Sequence, residues 1–265
     1  MSAPSSASSS SSSSSSATVN LLIFHKAADY VHDSIPAAVS CVEKLAKEQN
    51  WTYESTADAS VHFDSAATLD AFDCIAFVSN SGELFTEAQK ANLVAWAEAP
   101  QKDGQRARSV FGLHGATAAF LAGEDATGAT ELGTTWPWYR SLWGTLFTCH
   151  PPVQRGLIRF VKEEKSKLQL ESLPDELWQV DEWYNFDQDP STLPGVHVVA
   201  WADESTYKGG TMGDRHPLVW YRTLENGLRV IYAAPFHEIA HYELETTTTL
   251  LRQCLLWCAD LVEKQ

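Results

Sequence analysis

The chain has 265 residues, of which 44% are hydrophobic and 11% aromatic, enough to bury a large core in one or two domains. It carries 19 Lys and Arg against 34 Asp and Glu, a formal net charge of −15 at pH 7. This acidity argues against binding to nucleic acid or to an anionic membrane surface, because both are bound chiefly through Lys and Arg. The 5 cysteines include no Cys-x-x-Cys pair, which favours a reduced, cytoplasmic setting.

Residues 1–17 are rich in serine and lack both the apolar stretch of a signal peptide and the arginines of a transit peptide. We predict a disordered tail over 1–17 and a folded domain over 18–265. No later apolar run has the length of a bilayer-spanning helix, so we expect a cytoplasmic protein without a membrane partner.

Short apolar runs then alternate with segments of helical periodicity. In chain order, the predicted elements are strand 19–25, helix 34–50, strands 51–56 and 74–80, helix 86–99 and strand 108–114. This alternation predicts an α/β fold, a doubly wound, mostly parallel sheet with helices on both faces. Ligands of such sheets bind at the carboxyl ends of the strands, so the residues that follow these strands are candidate site residues.

The stretch from about residue 121 to 195 is rich in Trp, Pro and Gly and contains only short patterned segments, which predicts a long excursion from the sheet. A further strand is expected over 195–203. Asn226-Gly227 stands between two apolar-aromatic runs and predicts a β-hairpin over 217–236. The end of the chain predicts an amphipathic helix that begins between Glu243 and Thr246.

His237-Glu238-x-x-His241 has the spacing of a zinc-protease motif. That chemistry requires both imidazoles on one face of a helix, with the glutamate beside a metal-bound water. Here a strand ends near Pro235 and the closing helix begins only near Glu243, so the motif is expected in a loop. We therefore predict that the protein is not a zinc protease and keep His237, at a strand end, as a candidate for other chemistry.

Gly112-Leu113-His114-Gly115 follows a predicted strand and resembles a nucleophile elbow, in which a tight turn lifts one side chain above the sheet. The lifted residue would be His114, which is suited to acid–base chemistry or metal binding near neutral pH. The alternative is a histidine that only hydrogen-bonds neighbouring backbone. The two flanking glycines favour a functional role.

Several short motifs occur along the chain in one order. They are "HDSIP" at 32–36, "GLHGA" at 112–116, "WPWY" at 136–139, "HP" at 150–151, "DEWY" at 181–184, "DES" at 203–205, "GGTMGDRHPLVW" at 209–220, and His237. In this series the chain resembles the ThuA-like proteins, a trehalose-utilisation family whose fold is similar to the class I glutamine amidotransferase domain. The resemblance spans residue 20 to the C-terminus.

The resemblance implies a flavodoxin-like sheet in which His114 replaces the amidotransferase cysteine and His237 corresponds to its base. Ordinary glutaminase chemistry would then be lost, and His114, His237 and Glu182 become the implied catalytic residues. The implied substrate-binding residues are His32, His150, Tyr184 and His216, to which we add Trp138 as an aromatic face for a sugar ring. In the family a glycine usually precedes the second histidine, whereas this chain has Phe236.

Three functions are compatible with these residues. The first, implied by the resemblance, is carbohydrate utilisation through acid–base or metal-assisted isomerisation or cleavage of a keto-sugar such as oxidised trehalose. The second is a non-catalytic, amidotransferase-like binding protein, and the third is a cysteine hydrolase that uses Cys149. A small-molecule sugar is the expected partner, whereas a divalent metal such as zinc and a homo-oligomer stay open. For Glu182 a site role and a solvated acidic pair with Asp181 are equally compatible, and for Asp181 we expect the solvated position.

Overall fold

The computed structural model describes residues 18–100, 106–122 and 133–262, so the tail predicted over 1–17 lies outside the described residues. Nine strands form the main sheet: β1 (Asn20–Phe24), β2 (Thr52–Thr56), β3 (Cys74–Val78), β4 (Ser109–Leu113), β5 (Gln154–Phe160), β6 (Glu176–Asp181), β7 (His197–Asp203), β8 (His216–Thr223) and β9 (Arg229–Ala233). The helices are α1 (Ile35–Glu48), α2 (Ala66–Leu69), α3 (Glu87–Glu98), α4 (Pro137–Trp143), α5 (Lys162–Lys167) and α6 (Glu245–Cys258).

The strand order in the sheet is β6-β5-β7-β8-β9-β4-β3-β1-β2. Five neighbouring strands, β2, β1, β3, β4 and β9, are parallel, and their order is that of the flavodoxin fold. This part of the molecule confirms the predicted fold class. The strands β8, β7, β5 and β6 continue the sheet with antiparallel pairings.

The predicted hairpin is confirmed by the antiparallel pairing of β8 with β9, in which Trp220 lies opposite Tyr232. The excursion expected between residues 121 and 195 is only partly correct, because β5 and β6 from this stretch belong to the main sheet. Both strands carry charged residues, and β6 is an edge strand that exposes Trp178 and Val180. Partly exposed strands lack the continuous apolar run by which the parallel strands were predicted.

The helices form where the sequence carries helical periodicity and a start signal. α1 has Pro36 in its first turn and buries one apolar stripe against the sheet, and α3 begins with a capping box between Thr86 and Gln89. Trp143 of α4 packs directly on β4, where a Cβ at residue 112 would lie 2.6 Å from the Trp143 ring. Gly112 is therefore required by this close approach of helix and strand.

The carboxyl ends of the parallel strands lie at one edge of the sheet, and the amino end of the antiparallel strand β8 lies at the same edge. Chain segments that leave β1, β4 and β9 therefore meet there. Within the described ranges, none of the helices combines the length and apolar character that a bilayer-spanning helix requires.

Candidate functional site

Four chain segments converge at this edge of the sheet. His32 lies between β1 and α1, His114 follows β4, Glu182 follows β6, and His237 follows β9. Each side chain offers one atom that could bind a metal, a ring nitrogen or a carboxylate oxygen. These four atoms all lie within 4.8 Å of one another. We call these four residues the His3Glu cluster. The structure thus brings together the three histidines and the glutamate that the sequence singled out at separate positions.

His114 occupies a strained turn directly after β4. Its φ is +49°, and at Gly115 an added Cβ would lie 3.0 Å from the carbonyl oxygen of Asn80. The Nδ1 atom of the fully buried His114 ring lies 2.8 Å from the carbonyl oxygen of Ala234. Because a carbonyl oxygen only accepts, Nδ1 carries a proton and donates it. Nε2 then carries the lone pair when the ring is neutral and a second proton when the ring is an imidazolium. This Nε2 faces the cluster.

The carboxylate of Glu182 lies at the centre of the cluster. Its Oε2 atom is 3.7 Å from Nε2 of His32, 3.4 Å from Nε2 of His114 and 3.2 Å from Nδ1 of His237. Its Oε1 atom is 3.3 Å from Nε2 of His150. One carboxylate is thus in contact with four imidazoles.

Access to the cluster differs among the histidines. The side chains of His32 and His114 are buried, whereas that of His237 is 19% exposed and that of His150 is 34% exposed. His150 belongs to the segment between β4 and β5 and is not one of the four residues of the His3Glu cluster. His237 and His150 therefore form the solvent side of the site.

The charges of the cluster are mutually dependent. Burial opposes ionisation of Glu182, but the adjacent ring nitrogens of His114, His237 and His32 outweigh burial and hold the pKa of this carboxyl well below its usual range. The contact with Glu182 raises the pKa of His237. Burial lowers the pKa of His32. The site therefore contains an ionised carboxylate and imidazoles of unequal basicity.

Tyr184 supplies a hydroxyl to the same site. Its oxygen lies 3.1 Å from Nε2 of His114 and 3.3 Å from Nε2 of His32, and its ring packs on that of His114 with centroids 4.5 Å apart. Burial raises the pKa of Tyr184 well above its usual value, so its phenol stays protonated and can donate. His216 lies behind it, with Nε2 donating to the Tyr184 carbonyl oxygen at 2.8 Å and Nδ1 2.8 Å from Glu204. His216 contacts the site through Tyr184.

Asp181 is buried, contrary to the solvated position expected for it, and is 1% exposed. Its Oδ2 accepts the backbone N–H of Phe236 at 2.7 Å, and its Oδ1 accepts those of His237 at 2.9 Å and Glu182 at 3.0 Å. One carboxylate therefore holds the backbone of two cluster residues. Sequence reasoning missed this role, because the only signal was the adjacency of Asp181 to Glu182.

The loop after β9 contains a residue with a positive φ, the backbone region that favours glycine. Phe236, at which the resemblance implies a glycine, has a φ of +90°. The prediction that the His-Glu-x-x-His motif lies outside the closing helix is confirmed. Ile239–Glu243 forms a 3₁₀ turn, and α6 begins only at Glu245. His241 belongs to this turn, where Nδ1 accepts the backbone N–H of Glu238 at 3.2 Å.

Two further residues singled out by the sequence lie in other surroundings. Trp138 stacks on Trp136, donates to Glu98 at 3.0 Å and lines a surface cleft whose lining residues include none of the His3Glu cluster. Cys149 is exposed, and its sulfur accepts weak hydrogen bonds from the side chains of Thr148 and Asn185.

Fold and site together define an α/β protein with a flavodoxin-like parallel sheet that carries a histidine at the elbow position. The family model for ThuA, described as trehalose utilisation, matches residues 20–258. The chain therefore belongs to the ThuA family. The comparison with curated proteins gave no match.

Solved structures with the same fold include two ThuA-like proteins. The one from Bacteroides uniformis ATCC 8492 is 20% identical, with 91% of each chain covered and a TM-score of 0.68. The one from Parabacteroides merdae ATCC 43184 is 12% identical, with 94% of this chain and 93% of the other covered and a TM-score of 0.66. A glutaminase domain of Trypanosoma brucei CTPS with bound acivicin is 10% identical, with 94% and 96% covered and a TM-score of 0.49.

Proposed function

We propose that the protein acts in the utilisation of trehalose or a related disaccharide by transforming an oxidised form of the sugar in which one ring hydroxyl is a ketone. The observation that carries the proposal is the Glu182 carboxylate with four imidazoles around it, at the edge of the sheet where this fold binds ligands. The elbow position carries His114 and no thiol, so the chemistry expected there is proton transfer and carbonyl polarisation.

A ketone acidifies the C–H bond on the neighbouring carbon. A base removes that proton, and the electron pair moves to the carbonyl oxygen to form an enolate that needs an electrophile for its stabilisation. In an isomerisation the proton returns to the carbon framework at a different face or position. In a cleavage the enolate collapses, the glycosidic C–O bond on the next carbon breaks, and the departing oxygen takes a proton from an acid. The products are then an unsaturated keto-sugar and a free sugar.

The accessible residues fit the proton-transfer steps. His150 is the most exposed imidazole of the site, and its Nε2 atom lies 3.3 Å from Oε1 of Glu182, so the pair can take up and return a proton. His237 is partly exposed and is suited to donate to the carbonyl oxygen. The ring of His114 is fully buried, so we assign it to the support of Glu182 and to the electrophilic side of the site, behind His237.

The test is to incubate the protein with 3-keto-trehalose in deuterated water and to follow isomerisation, deuterium uptake beside the ketone and release of free sugar by NMR. We expect turnover by the wild type and a loss of about 10²-fold or more for His150→Ala and Glu182→Gln, the usual contribution of a general acid–base group. His62→Ala is the control, because His62 pairs with Glu54 outside the site.

The alternative, a non-catalytic binding protein, makes the opposite prediction. Absence of turnover by folded wild-type protein across a panel of keto-glycosides, with and without added divalent metal, would contradict the proposed chemistry. Saturable binding of the same sugars without turnover would then favour the binding function.

A further inference from the structure

The geometry points to a divalent transition-metal site formed by His32, His114, His237 and Glu182, with Zn²⁺ as the ion to be tested. Catalytic use of this ion rests on the proposed function, in which it would take the place of an imidazole as the electrophile. Binding of the ion is a separate property that can be measured without any substrate.

The spacing of the atoms around Glu182 is the first observation. Its Oε2 atom lies 3.2 to 3.7 Å from the three ring nitrogens. Ligands held about 2.0–2.1 Å from Zn²⁺ at tetrahedral angles are roughly 3.3–3.4 Å from one another. The contacts of Glu182 therefore have the separations of atoms that share one ion, and they are longer than the usual hydrogen bond of about 2.9 Å.

The second observation is a set of buried polar atoms whose hydrogen-bonding capacity is not used. Within the described part of the chain, Oε2 of Glu182 and Nδ1 of His237 are both buried and lack a hydrogen-bond partner of acceptable geometry. An unpartnered buried carboxylate oxygen is costly, and buried polar groups are almost always satisfied by protein, water or an ion. An ion between these atoms would satisfy both at once.

The third observation is the tautomer of His114. Its Nδ1–H donates to the carbonyl oxygen of Ala234 at 2.8 Å, so the neutral ring presents the Nε2 lone pair to the cluster. Metal-bound histidines commonly donate their other ring N–H to a carbonyl or carboxylate oxygen, which fixes the ring and raises its basicity. This hydrogen bond therefore fixes the His114 ring in the orientation of a metal ligand, without an ion.

The ligand types select the class of ion. Three imidazole nitrogens with one carboxylate oxygen suit Zn²⁺ and its first-row neighbours, whereas Mg²⁺ and Ca²⁺ prefer sites made of oxygen atoms. The exposed fraction of His237 and the position of His150 leave the ion approachable from the solvent side. A substrate carbonyl could then approach an ion that expands its coordination, as catalytic zinc sites do.

Binding of the ion would also limit which imidazoles can take part in proton transfer. Lone pairs of His32, His114 and His237 that bind metal are not available as bases. His150 contacts the other oxygen of Glu182, at 3.3 Å, and is not one of the four ligands. It therefore keeps the proton-transfer role given to it above, with or without the ion.

The experiment uses full-length protein from which any affinity tag has been removed. Protein stripped with a chelator is titrated with Zn²⁺ by calorimetry, Co²⁺ is substituted to record visible absorption, and bound metal is measured by elemental analysis. We expect one Zn²⁺ per chain, a tetrahedral-type Co²⁺ spectrum and no comparable binding of Mg²⁺.

Two histidines of one loop form a matched pair of variants. His237→Ala should weaken Zn²⁺ binding about 100-fold or more, since even the loss of a residue that only supports a ligand costs 10–100-fold. His241→Ala, four residues further along and outside the cluster, should bind like the wild type. Circular dichroism of both variants excludes unfolding as the cause, and Glu182→Gln with Glu238→Gln repeats the comparison for carboxylates.

The outcomes separate the two proposals. Absence of stoichiometric Zn²⁺ binding by the wild type, or equal binding by His237→Ala and the wild type, overturns the metal site. Turnover of keto-sugar by metal-free protein would leave the proposed function intact while removing the ion from it. Tight binding without turnover would support the metal site and contradict the proposed reaction.

Discussion

Asp181→Asn tests whether one buried carboxylate holds the site loop. Asp181 accepts backbone N–H groups from Phe236, His237 and Glu182, and its Oδ2 also accepts from the side chain of Gln179. The substitution conserves shape but converts one of the two oxygens into an NH2 group. Because that group only donates, at least one backbone N–H of the loop must lose its acceptor.

The magnitude follows from the better of the two amide orientations. If the remaining oxygen serves His237 and Glu182, the NH2 group faces the N–H of Phe236, which was 2.7 Å from Oδ2, while Gln179 can reverse its own amide. One hydrogen bond to a charged acceptor is lost, at about 1.5–3 kcal/mol, and a buried donor stays unpaired. We expect the free energy of unfolding to fall by about 2–3 kcal/mol.

Urea unfolding followed by circular dichroism measures this change as a lower midpoint at constant m-value. Asp70→Asn is the control, because Asp70 is exposed and pairs with Arg108 at the surface, where an ion pair contributes about 0–1 kcal/mol. If the two variants differ by less than about 0.5 kcal/mol, the usual range of neutral surface substitutions, the assignment of Asp181 as the support of the loop is refuted.

Three further outcomes are expected. Gly112→Ala should lower the stability by about 1–3 kcal/mol, since its Cβ would lie 2.6 Å from the Trp143 ring, and an unchanged melting temperature would contradict the packing. His237→Ala should abolish keto-sugar turnover while His241→Ala retains it, and equal loss in both would count against the cluster. Cys149→Ser should leave turnover unchanged, whereas inactivation would favour the thiol hydrolase that the sequence left open.

The parallel half of the fold was predictable because four of its five strands are almost entirely buried and its helices carry clear periodicity. β3 and β4 are buried throughout and were found as continuous apolar runs. β5 and β6 were missed because each strand exposes part of its length and includes charged side chains. The sequence therefore predicted best those strands whose residues are nearly all buried and apolar.

The site was predictable where the local backbone carries a signal. His114 was found from its flanking glycines, and the structure gives it the positive φ of an elbow. Asp181 was not found, because its partners Phe236 and His237 are 55 and 56 residues away and contribute backbone N–H groups, which every residue type except proline supplies. His216 lies behind Tyr184, a relation that depends on the antiparallel strand β8 and that no motif spacing indicates.

Phe236 has a φ of +90°, a backbone conformation that glycine adopts far more readily than a residue with a side chain. Such a conformation costs a side-chain-bearing residue about 1–3 kcal/mol, and burial of a phenylalanine ring offsets this by about 1.5–3 kcal/mol. The amide of Phe236 donates to Asp181, and its carbonyl accepts from Tyr242 at 2.8 Å. Tertiary contacts therefore stabilise the backbone conformation of this turn. A loop restrained in this way has little conformational entropy to lose when a ligand binds, so the position of His237 is preorganised.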